Sequence, residues 1–252
     1  MTPEIDDLFT AIKAEHGHDA LERVEEMLEP RQRSETRHPL QQDAKWVLPG
    51  ISQTPWHDPY AYPELLPVVT ALESHHAQIK ADQEQAWADR RDSFSDYEHY
   101  LVRQRNWQAL YLYRDGALVE DSQRVAPTAY RVLREHAVDT DVICPLLESH
   151  FSTLLPGASI KPHSDLWNFS INLHLAIDIP EGAGLRVAEE TRTWDEGKCL
   201  LFDYSFEHEA WNGNDTQTRT CLLADLWHPE TTRAERLALT ALMREIQKLM
   251  AG

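Results

Sequence analysis

A series of short, strand-like segments that begins after Val142 constrains the fold of this chain more than any other feature. Turn residues separate the segments at Pro156-Gly157, Pro180, Gly182, Glu196-Gly197 and Asn212-Gly213. The segments are "ESHFSTLLPG", "ASIKPH", "NFSINLHLAI", "LRVAEE", "TRTW", "KCLLFD", "HEAWNG" and "RTCLLADLWH". Many short, evenly spaced strands are typical of an antiparallel barrel or a double-sheet jelly roll. We therefore expect a β core in the C-terminal half.

Helices are predicted on both sides of this core. Residues 2–29 have apolar side chains near helical spacing and end at Pro30, and the pattern returns from Glu64 to about Val102. Between these helices, residues 30–63 are predicted to form a long ordered loop. A strand over "WQALYLYRDG" and a helix over "APTAYRVLREHA" follow. A final helix begins at Thr232, with an apolar stripe of Leu237, Leu239, Leu242, Ile246 and Leu249.

The predicted protein is thus mainly β with α-helices, and its 252 residues divide into three regions. Residues 1–105 form a helical region that braces or covers the barrel. Residues 106–230 form the jelly-roll core, and residues 231–252 form the C-terminal helix.

The composition excludes several classes of partner. A net charge of −18 disfavours nucleic acid and anionic membrane surfaces, and no apolar span approaches the length of a membrane helix. The acidic charge is compatible with a cationic substrate, although acidic surfaces are common without one. The N-terminus lacks the features of a secretion signal, and the three cysteines are scattered and odd in number. We therefore expect a cytoplasmic protein with reduced thiols.

The stretch "KPHSDLWNFSINLHLAI" contains the strongest candidate for a metal site. In an extended segment, residues two apart point to the same side, so His163 and Asp165 can reach one point. His208, at the start of a later strand, is the candidate third ligand. Two histidines and one carboxylate leave three coordination positions open, as in non-haem Fe(II) oxygenases. The alternative is that these are unrelated polar residues at strand ends.

Two further patterns bear on the same site. Asn168, Ser170, Asn172 and His174 alternate with Phe169, Ile171, Leu173 and Leu175, which predicts either a polar barrel interior or a solvent-facing strand. Arg219 follows His208 by eleven residues and could bind a carboxylate with two parallel hydrogen bonds. The alternative for Arg219 is a surface arginine beside a turn.

The motifs "KPHSDLWNFSINLHL", "VAEETRTWDEGKCLLFDYSFEHEAWN" and "RTCLLADLWHPE" resemble the aspartyl/asparaginyl β-hydroxylase family of 2-oxoglutarate-dependent oxygenases. The resemblance extends from about Ser149 to Glu230, is fainter over "WQALYLYRDG" and the helix after it, and is not found in the first hundred residues. It implies a double-stranded β-helix that binds Fe(II), with 2-oxoglutarate and O2 as co-substrates. By position it implies His163 and His208 as iron ligands, Arg219 and Ser152 as ligands of the distal carboxylate of 2-oxoglutarate, and His174 near its metal-bound end.

Two positions depart from the animal member of the family. Asp165 stands where that enzyme has glycine, which implies a complete triad, as in bacterial relatives that hydroxylate free amino acids. Asn172 stands where that enzyme has an arginine for its acidic substrate, which implies that Asn172 contacts the substrate and argues against a peptidyl aspartate. Arg186 matches a family arginine and either binds a substrate carboxylate or forms a surface salt bridge.

Supporting roles are also predicted around the site. Trp167, with Trp56 and Trp107, either lines the substrate pocket or packs in the core. Asp203, Glu207 and Asn168 are the candidates to orient the metal-binding histidines.

The expected function is an Fe(II)/2-oxoglutarate-dependent dioxygenase. It would hydroxylate an unactivated C–H bond of an amino acid, an amino-acid derivative or a small peptide, with succinate and CO2 as co-products. Desaturation or cyclisation of the substrate stays open. A cupin-like metal-dependent isomerase or lyase, or a non-catalytic 2-oxoglutarate-binding module, are the alternatives, since fold alone excludes neither.

Overall fold

The β core consists of two antiparallel sheets that enclose one cavity. This computed structural model describes residues 2–29, 38–41, 44–89, 91–96 and 106–251. The strands are β1 Trp56–His57, β2 Ser95–Asp96, β3 Trp107–Arg114, β4 Ala117–Leu118, β5 Ser149–Leu154, β6 Ser159–His163, β7 Ser170–Asp178, β8 Ala183–Val187, β9 Glu190–Arg192, β10 Cys199–Phe202, β11 His208–Asn212 and β12 Arg219–Trp227. The larger sheet has the order β1-β10-β7-β12-β5-β3-β2, with β4 paired to β3, and the smaller sheet has the order β6-β11-β8-β9. The predicted jelly roll is confirmed.

Strand β7 at the centre of the larger sheet is buried on both faces. Residues 170–177 are all buried, because helices cover one face and the cavity lies on the other. Ile171, Leu173 and Leu175 pack into the apolar cluster beneath the helices. Asn172 and His174 line the cavity. The alternation of residue types therefore marks a polar barrel interior, and the solvent-facing alternative is wrong.

Helices cover the outer face of the larger sheet. They are α3 Leu66–Ser74, α4 His76–Asp89, α5 Ser122–Val125 and α6 Pro127–Leu133, which continues into a wider turn over Arg134–Val138. The helix predicted from Glu64 to Val102 is interrupted: it begins at Leu66, breaks at His75 and ends at Asp89. A 3-10 turn over Arg91–Ser93 and strand β2 follow, and residues 97–102 lie outside the described residues.

Another helical layer closes one end of the barrel. The helix predicted over residues 2–29 is two helices, α1 Pro3–His16 and α2 Glu22–Leu28. The break falls at Gly17, whose φ of 109° is outside the range that ordinary residues adopt. Both helices pack on α7 Arg233–Ala251, together with Trp167, Phe169 and Trp227. Arg23 of α2 donates two hydrogen bonds of 2.7 Å to the carboxylate of Glu235 in α7.

The apolar stripe of α7 differs in part from the prediction. Leu239 and Leu242 are buried, but Leu237 is 46 % exposed and Leu249 is 71 % exposed. Residues two apart in a helix lie about 200° apart around its axis, so Leu237 and Leu239 cannot share one face. Ala234, Ala238 and Met243 complete the buried face instead.

The described helices before residue 106 pack against the outside of the barrel. They pack on the outer face of the larger sheet or at the end beside α7. Within the described part of the chain, every residue that lines the cavity comes from residues 107–225.

Candidate metal centre

The two predicted histidine ligands lie side by side on paired strands. His163 ends β6 and His208 begins β11, and the register of this antiparallel pair places them directly opposite each other. Their ring centroids are 4.1 Å apart. Asp165 follows two residues after His163, and its backbone N–H donates to the carbonyl of Tyr204 at 2.9 Å. That hydrogen bond fixes the loop after β6 so that the Asp165 carboxylate faces both imidazoles.

The three side chains are close enough to share one ion. Asp165 Oδ2 is 4.0 Å from His163 Nε2 and 3.7 Å from His208 Nε2, and all three ligand atoms lie within 4.8 Å of one another. Small side-chain rotations bring them to the bonding distance of a first-row metal, about 2.0–2.1 Å for nitrogen. No other group of three metal-binding side chains is this close in the described residues.

Backbone carbonyls orient both imidazoles. His163 Nδ1 is 2.8 Å from the carbonyl of Lys161, and His208 Nδ1 is 3.0 Å from that of Phe206. A ring that donates from Nδ1 presents the lone pair of Nε2 to a metal. In both cases the acceptor is two residues earlier in the chain.

The side chains predicted for this orienting role serve elsewhere. Asp203 accepts from the N–H and hydroxyl of Ser205, Glu207 binds Arg186, and Asn168 bonds the backbone of Leu48. The prediction was wrong because a main-chain acceptor leaves no signal in residue types.

The electrostatics of the three ligands suit a divalent cation. Burial, with repulsion from His163, lowers the pKa of His208 to about 3, so its imidazole is neutral at pH 7. The Asp165 side chain is 41 % exposed, but it faces the cavity, whose walls partly desolvate the carboxylate. This desolvation, followed by repulsion from Asp225 and Asp203, raises the pKa of Asp165 to about 8. A cation bound between the ligands offsets both contributions.

Arg219 is the buried cation of the same cavity. It begins β12 and is 1 % exposed, and its Nε and Nη1 atoms have no hydrogen-bond partner among the described residues. Its guanidinium lies over the ring of Trp194, with 4.6 Å between Cζ and the ring centroid. Buried N–H groups of a charged side chain that lack acceptors are unfavourable, so the site calls for an anion, and a planar carboxylate matches the guanidinium.

Ser152 and His174 line the cavity with Arg219. Ser152 lies opposite Cys221 on the neighbouring strand, and its hydroxyl accepts a 2.8 Å hydrogen bond from Trp107 Nε1. His174 stacks on Trp194, and its Nδ1 accepts from Trp194 Nε1 at 3.3 Å. His174 therefore carries its proton on Nε2. Burial and the nearby Arg219 hold its pKa well below the usual value.

The three residues predicted to bind substrate separate into different environments. Asn172 lines the cavity and donates from Nδ2 to Asp225 Oδ1 at 2.5 Å. Arg186 instead forms ion pairs with Glu209 at 2.6 Å and Glu207 at 2.9 Å, on the face of β8 opposite the cavity-lining Leu185. This is the salt-bridge alternative for Arg186.

Trp167 lies in the core. It stacks on Phe169 with 5.1 Å between ring centroids, and its Nε1 donates to Ser170. It does not line the cavity, so the pocket role predicted for it is corrected to packing. Of the three tryptophans considered, Trp107 lines the cavity.

The sequence interpretation missed four ionisable residues that line the cavity, namely Glu148, His150, Tyr204 and Asp225. A signal for Asp225 was available. Side chains of a strand alternate between its faces, so an inward Arg219 predicts that Leu223 and Asp225 also face inward. Both line the cavity.

Comparison with known families settles the relationship of the chain. A family model described as aspartyl/asparaginyl beta-hydroxylase matches residues 73–229, more than half of the sequence. The chain belongs to this family. The match begins at residue 73, so the expectation that the first hundred residues carry no resemblance is wrong.

Individual relatives align with this chain over different lengths. The aspartyl/asparaginyl beta-hydroxylase of Mus musculus is 32 % identical over 196 residues, which are 77 % of this chain and 26 % of that protein. Aspartate beta-hydroxylase domain-containing protein 2 of Homo sapiens is 36 % identical over 137 residues, 53 % of this chain and 36 % of that protein. The chain thus spans about a quarter to about a third of these relatives.

A crystal structure of a Pseudomonas putida prolyl-4-hydroxylase aligns with 64 % of this chain and 98 % of its own, with a TM-score of 0.40 and 13 % identity. Within the described residues, no helix combines the length and apolar character needed to cross a membrane. All three cysteines are buried and free of disulfides.

Proposed function

We propose that this chain is an Fe(II)/2-oxoglutarate-dependent dioxygenase that hydroxylates an unactivated C–H bond of an amino acid, an amino-acid derivative or a small peptide. The observation that carries the proposal is the buried guanidinium of Arg219, whose Nε and Nη1 atoms lack acceptors within the described residues, in the same cavity as the His163–Asp165–His208 set. One cavity thus offers a metal site and a carboxylate site.

The residues present fit an iron ion. His163 and His208 would contribute Nε2 atoms and Asp165 a carboxylate oxygen, and this donor set leaves positions open for small ligands. Bound Fe(II), with 2-oxoglutarate and O2, supplies the oxidising power for C–H hydroxylation and leaves succinate and CO2 as co-products. The protein's part is to hold the ligands, orient the substrate and exclude water.

The larger sheet would hold 2-oxoglutarate. Arg219 would pair with its distal carboxylate, with the Ser152 hydroxyl as a second contact. His174 lies near both Arg219 and His208, so its Nε2–H can donate to the part of the co-substrate between them. Trp194 covers the guanidinium and keeps water from the ion pair.

An anaerobic titration of metal-free protein with Fe(II) and 2-oxoglutarate tests the proposal. We expect a visible charge-transfer band that needs both components, is lost in His208→Ala and is strongly weakened in Arg219→Ala. Arg124→Ala is the matched control, because Arg124 is an exposed arginine paired with Asp121 away from the cavity.

The outcomes separate the candidate functions. Tight iron binding with no band in the wild-type protein would contradict the proposal and favour a cupin-like isomerase or lyase. A band without succinate formation on any amine-bearing metabolite would favour a non-catalytic 2-oxoglutarate-binding module. Product analysis with an accepted substrate distinguishes hydroxylation from desaturation or cyclisation.

A further inference from the structure

The cavity carries opposite charges at its two ends. Arg219 is the only lysine or arginine among the described residues that line it, whereas Asp165, Glu148 and Asp225 contribute carboxylates. Arg219 and Asp225 lie on the same strand, β12, and both face the cavity. Six residues of strand separate their Cα atoms by about 20 Å. The acidic end of the cavity is therefore separate from the Arg219 end, where the distal carboxylate of 2-oxoglutarate is proposed to bind.

Asp225 is held in a fixed position at this acidic end. It is 8 % exposed. Its Oδ1 accepts from Asn172 Nδ2 at 2.5 Å, and its Oδ2 accepts from the backbone N–H of Glu148 at 3.2 Å. A carboxylate has about four acceptor positions, so each oxygen keeps capacity for a further donor.

Asn172 adds a buried acceptor without a partner. It lies directly opposite Asp225 in the pairing of β7 with β12 and is 8 % exposed. Because its amide nitrogen donates to Asp225, its Oδ1 atom stays available, and Oδ1 has no hydrogen-bond partner in the part of the chain that the structure describes. Buried carbonyl oxygens are normally satisfied, so this atom indicates a ligand that supplies a donor.

This acidic end lies beside the metal centre. Asn172 lies opposite Asp225 on β12 and opposite Phe202 on β10. Tyr204, two residues after Phe202, accepts the backbone hydrogen bond of Asp165, and Asp165 and Asp225 line the same cavity. A ligand bound to Asp225 would place its adjacent carbon atoms close to the metal.

We propose that Asp225 and Asn172 Oδ1 bind a positively charged nitrogen of the substrate, an ammonium or a guanidinium group. This inference rests on the proposed function and narrows its substrate class to cationic amines and amino acids. Such a nitrogen donates several hydrogen bonds, and its positive charge balances the negative charge of the buried carboxylate. A substrate carboxylate in the same place would meet two oxygen acceptors and a like charge.

Calorimetry with matched ligand pairs tests the inference. Protein loaded with Mn(II) and 2-oxoglutarate is titrated with L-lysine and Nε-acetyl-L-lysine, L-arginine and L-citrulline, and L-leucine and N-acetyl-L-leucine. Each pair differs in one charged nitrogen, so the pairs separate a side-chain ammonium, a guanidinium and an α-ammonium group. In at least one pair, we expect the charged member to bind about ten- to a hundredfold more tightly. Asp225→Asn should remove that preference.

Two variants serve as controls for Asp225→Asn. Asp178→Asn removes one carboxylate from β7 outside the cavity, where Asp178 pairs with Lys80 at 2.5 Å, and should leave the preference unchanged. Asn172→Leu removes the neutral acceptor but keeps the Asp225 charge, and should reduce the preference in part. Binding of 2-oxoglutarate to each variant reports on folding, because Arg219 lies at the other end of the strand.

The results separate this inference from the proposed function. If no pair shows a preference, or if Asp225→Asn keeps it while 2-oxoglutarate still binds, the cation site is refuted and the proposed function stands. If wild-type protein does not bind 2-oxoglutarate, the proposed function fails. In that case, titrating protein loaded with Mn(II) alone with the same ligand pairs shows whether the cation site exists.

Discussion

The two sheets of the barrel contribute different chemistry to one cavity. The smaller sheet and the loop after β6 provide the three candidate metal ligands, His163, Asp165 and His208. The larger sheet provides Arg219, which suits an anion, and Asp225, which suits a cation. The metal ligands sit at strand ends, whereas the larger sheet is backed by helices along its length. A reaction centre and its specificity can therefore change independently, because separate sheets carry them.

Replacing Arg219 with methionine should show most clearly that the two sheets have separate roles in binding. We expect the affinity for 2-oxoglutarate to fall by about a hundredfold, as for a lost charge-assisted contact, while metal affinity stays unchanged. Without ligand, the melting temperature should stay level or rise, because an unpaired buried charge gives way to an apolar side chain. Calorimetry and thermal unfolding with and without 2-oxoglutarate measure both effects. A parallel loss of metal binding would show that the sheets are not independent.

The pH dependence of metal binding tests the candidate metal ligands directly. The raised pKa of Asp165, about 8, means that a proton must leave before the carboxylate binds a metal. We expect Mn(II) affinity to rise by up to about tenfold per pH unit between pH 6 and 8, with protons released on binding. His208, with its pKa lowered to about 3, should add nothing in this window. Titrations in buffers of different ionisation enthalpy count the protons, and a pH-independent affinity would contradict the expectation.

Arg23→Ala should have the smallest effect on the cavity. It removes the two-bond contact from α2 to Glu235, whose side chain is 4 % exposed, and leaves that carboxylate without its cation. We expect the free energy of unfolding to fall by about 1–3 kcal/mol, measured by urea denaturation. Binding of metal and 2-oxoglutarate should be unchanged at 25 °C, because α1, α2 and α7 only brace the barrel end. Weaker binding in a folded variant would mean that these helices also shape the cavity.

The sequence predicted the β core and the grouping of His163, Asp165 and His208 because both depend on short-range regularities. Turn residues delimit each strand after Val142, and Asp165 follows the last residue of β6, His163, by two positions in extended backbone. The same two-residue period, counted from an inward-facing Arg219, predicts that Asp225 also faces the cavity. Burial of both faces of β7 could not be predicted, because the helices that cover it are distant in sequence.

The remaining differences have local physical causes. A single backbone angle at Gly17 divides the N-terminal helix, and the helical pattern itself does not report that angle. Trp167 and Arg186 are chemically suited to a pocket, but tertiary packing and nearby glutamates place them elsewhere. Side-chain chemistry predicts what a residue can do, and only the tertiary fold selects the partner.

The carbonyl anchors of the two imidazoles have an evolutionary consequence. Every amino acid carries a backbone carbonyl, so positions 161 and 206 can change identity without loss of the hydrogen bonds to His163 and His208. The orientation of the two imidazole rings therefore does not depend on which side chains occupy positions 161 and 206. Lineages that share this barrel can therefore diversify the residues around the candidate metal centre while its two imidazoles keep their orientation.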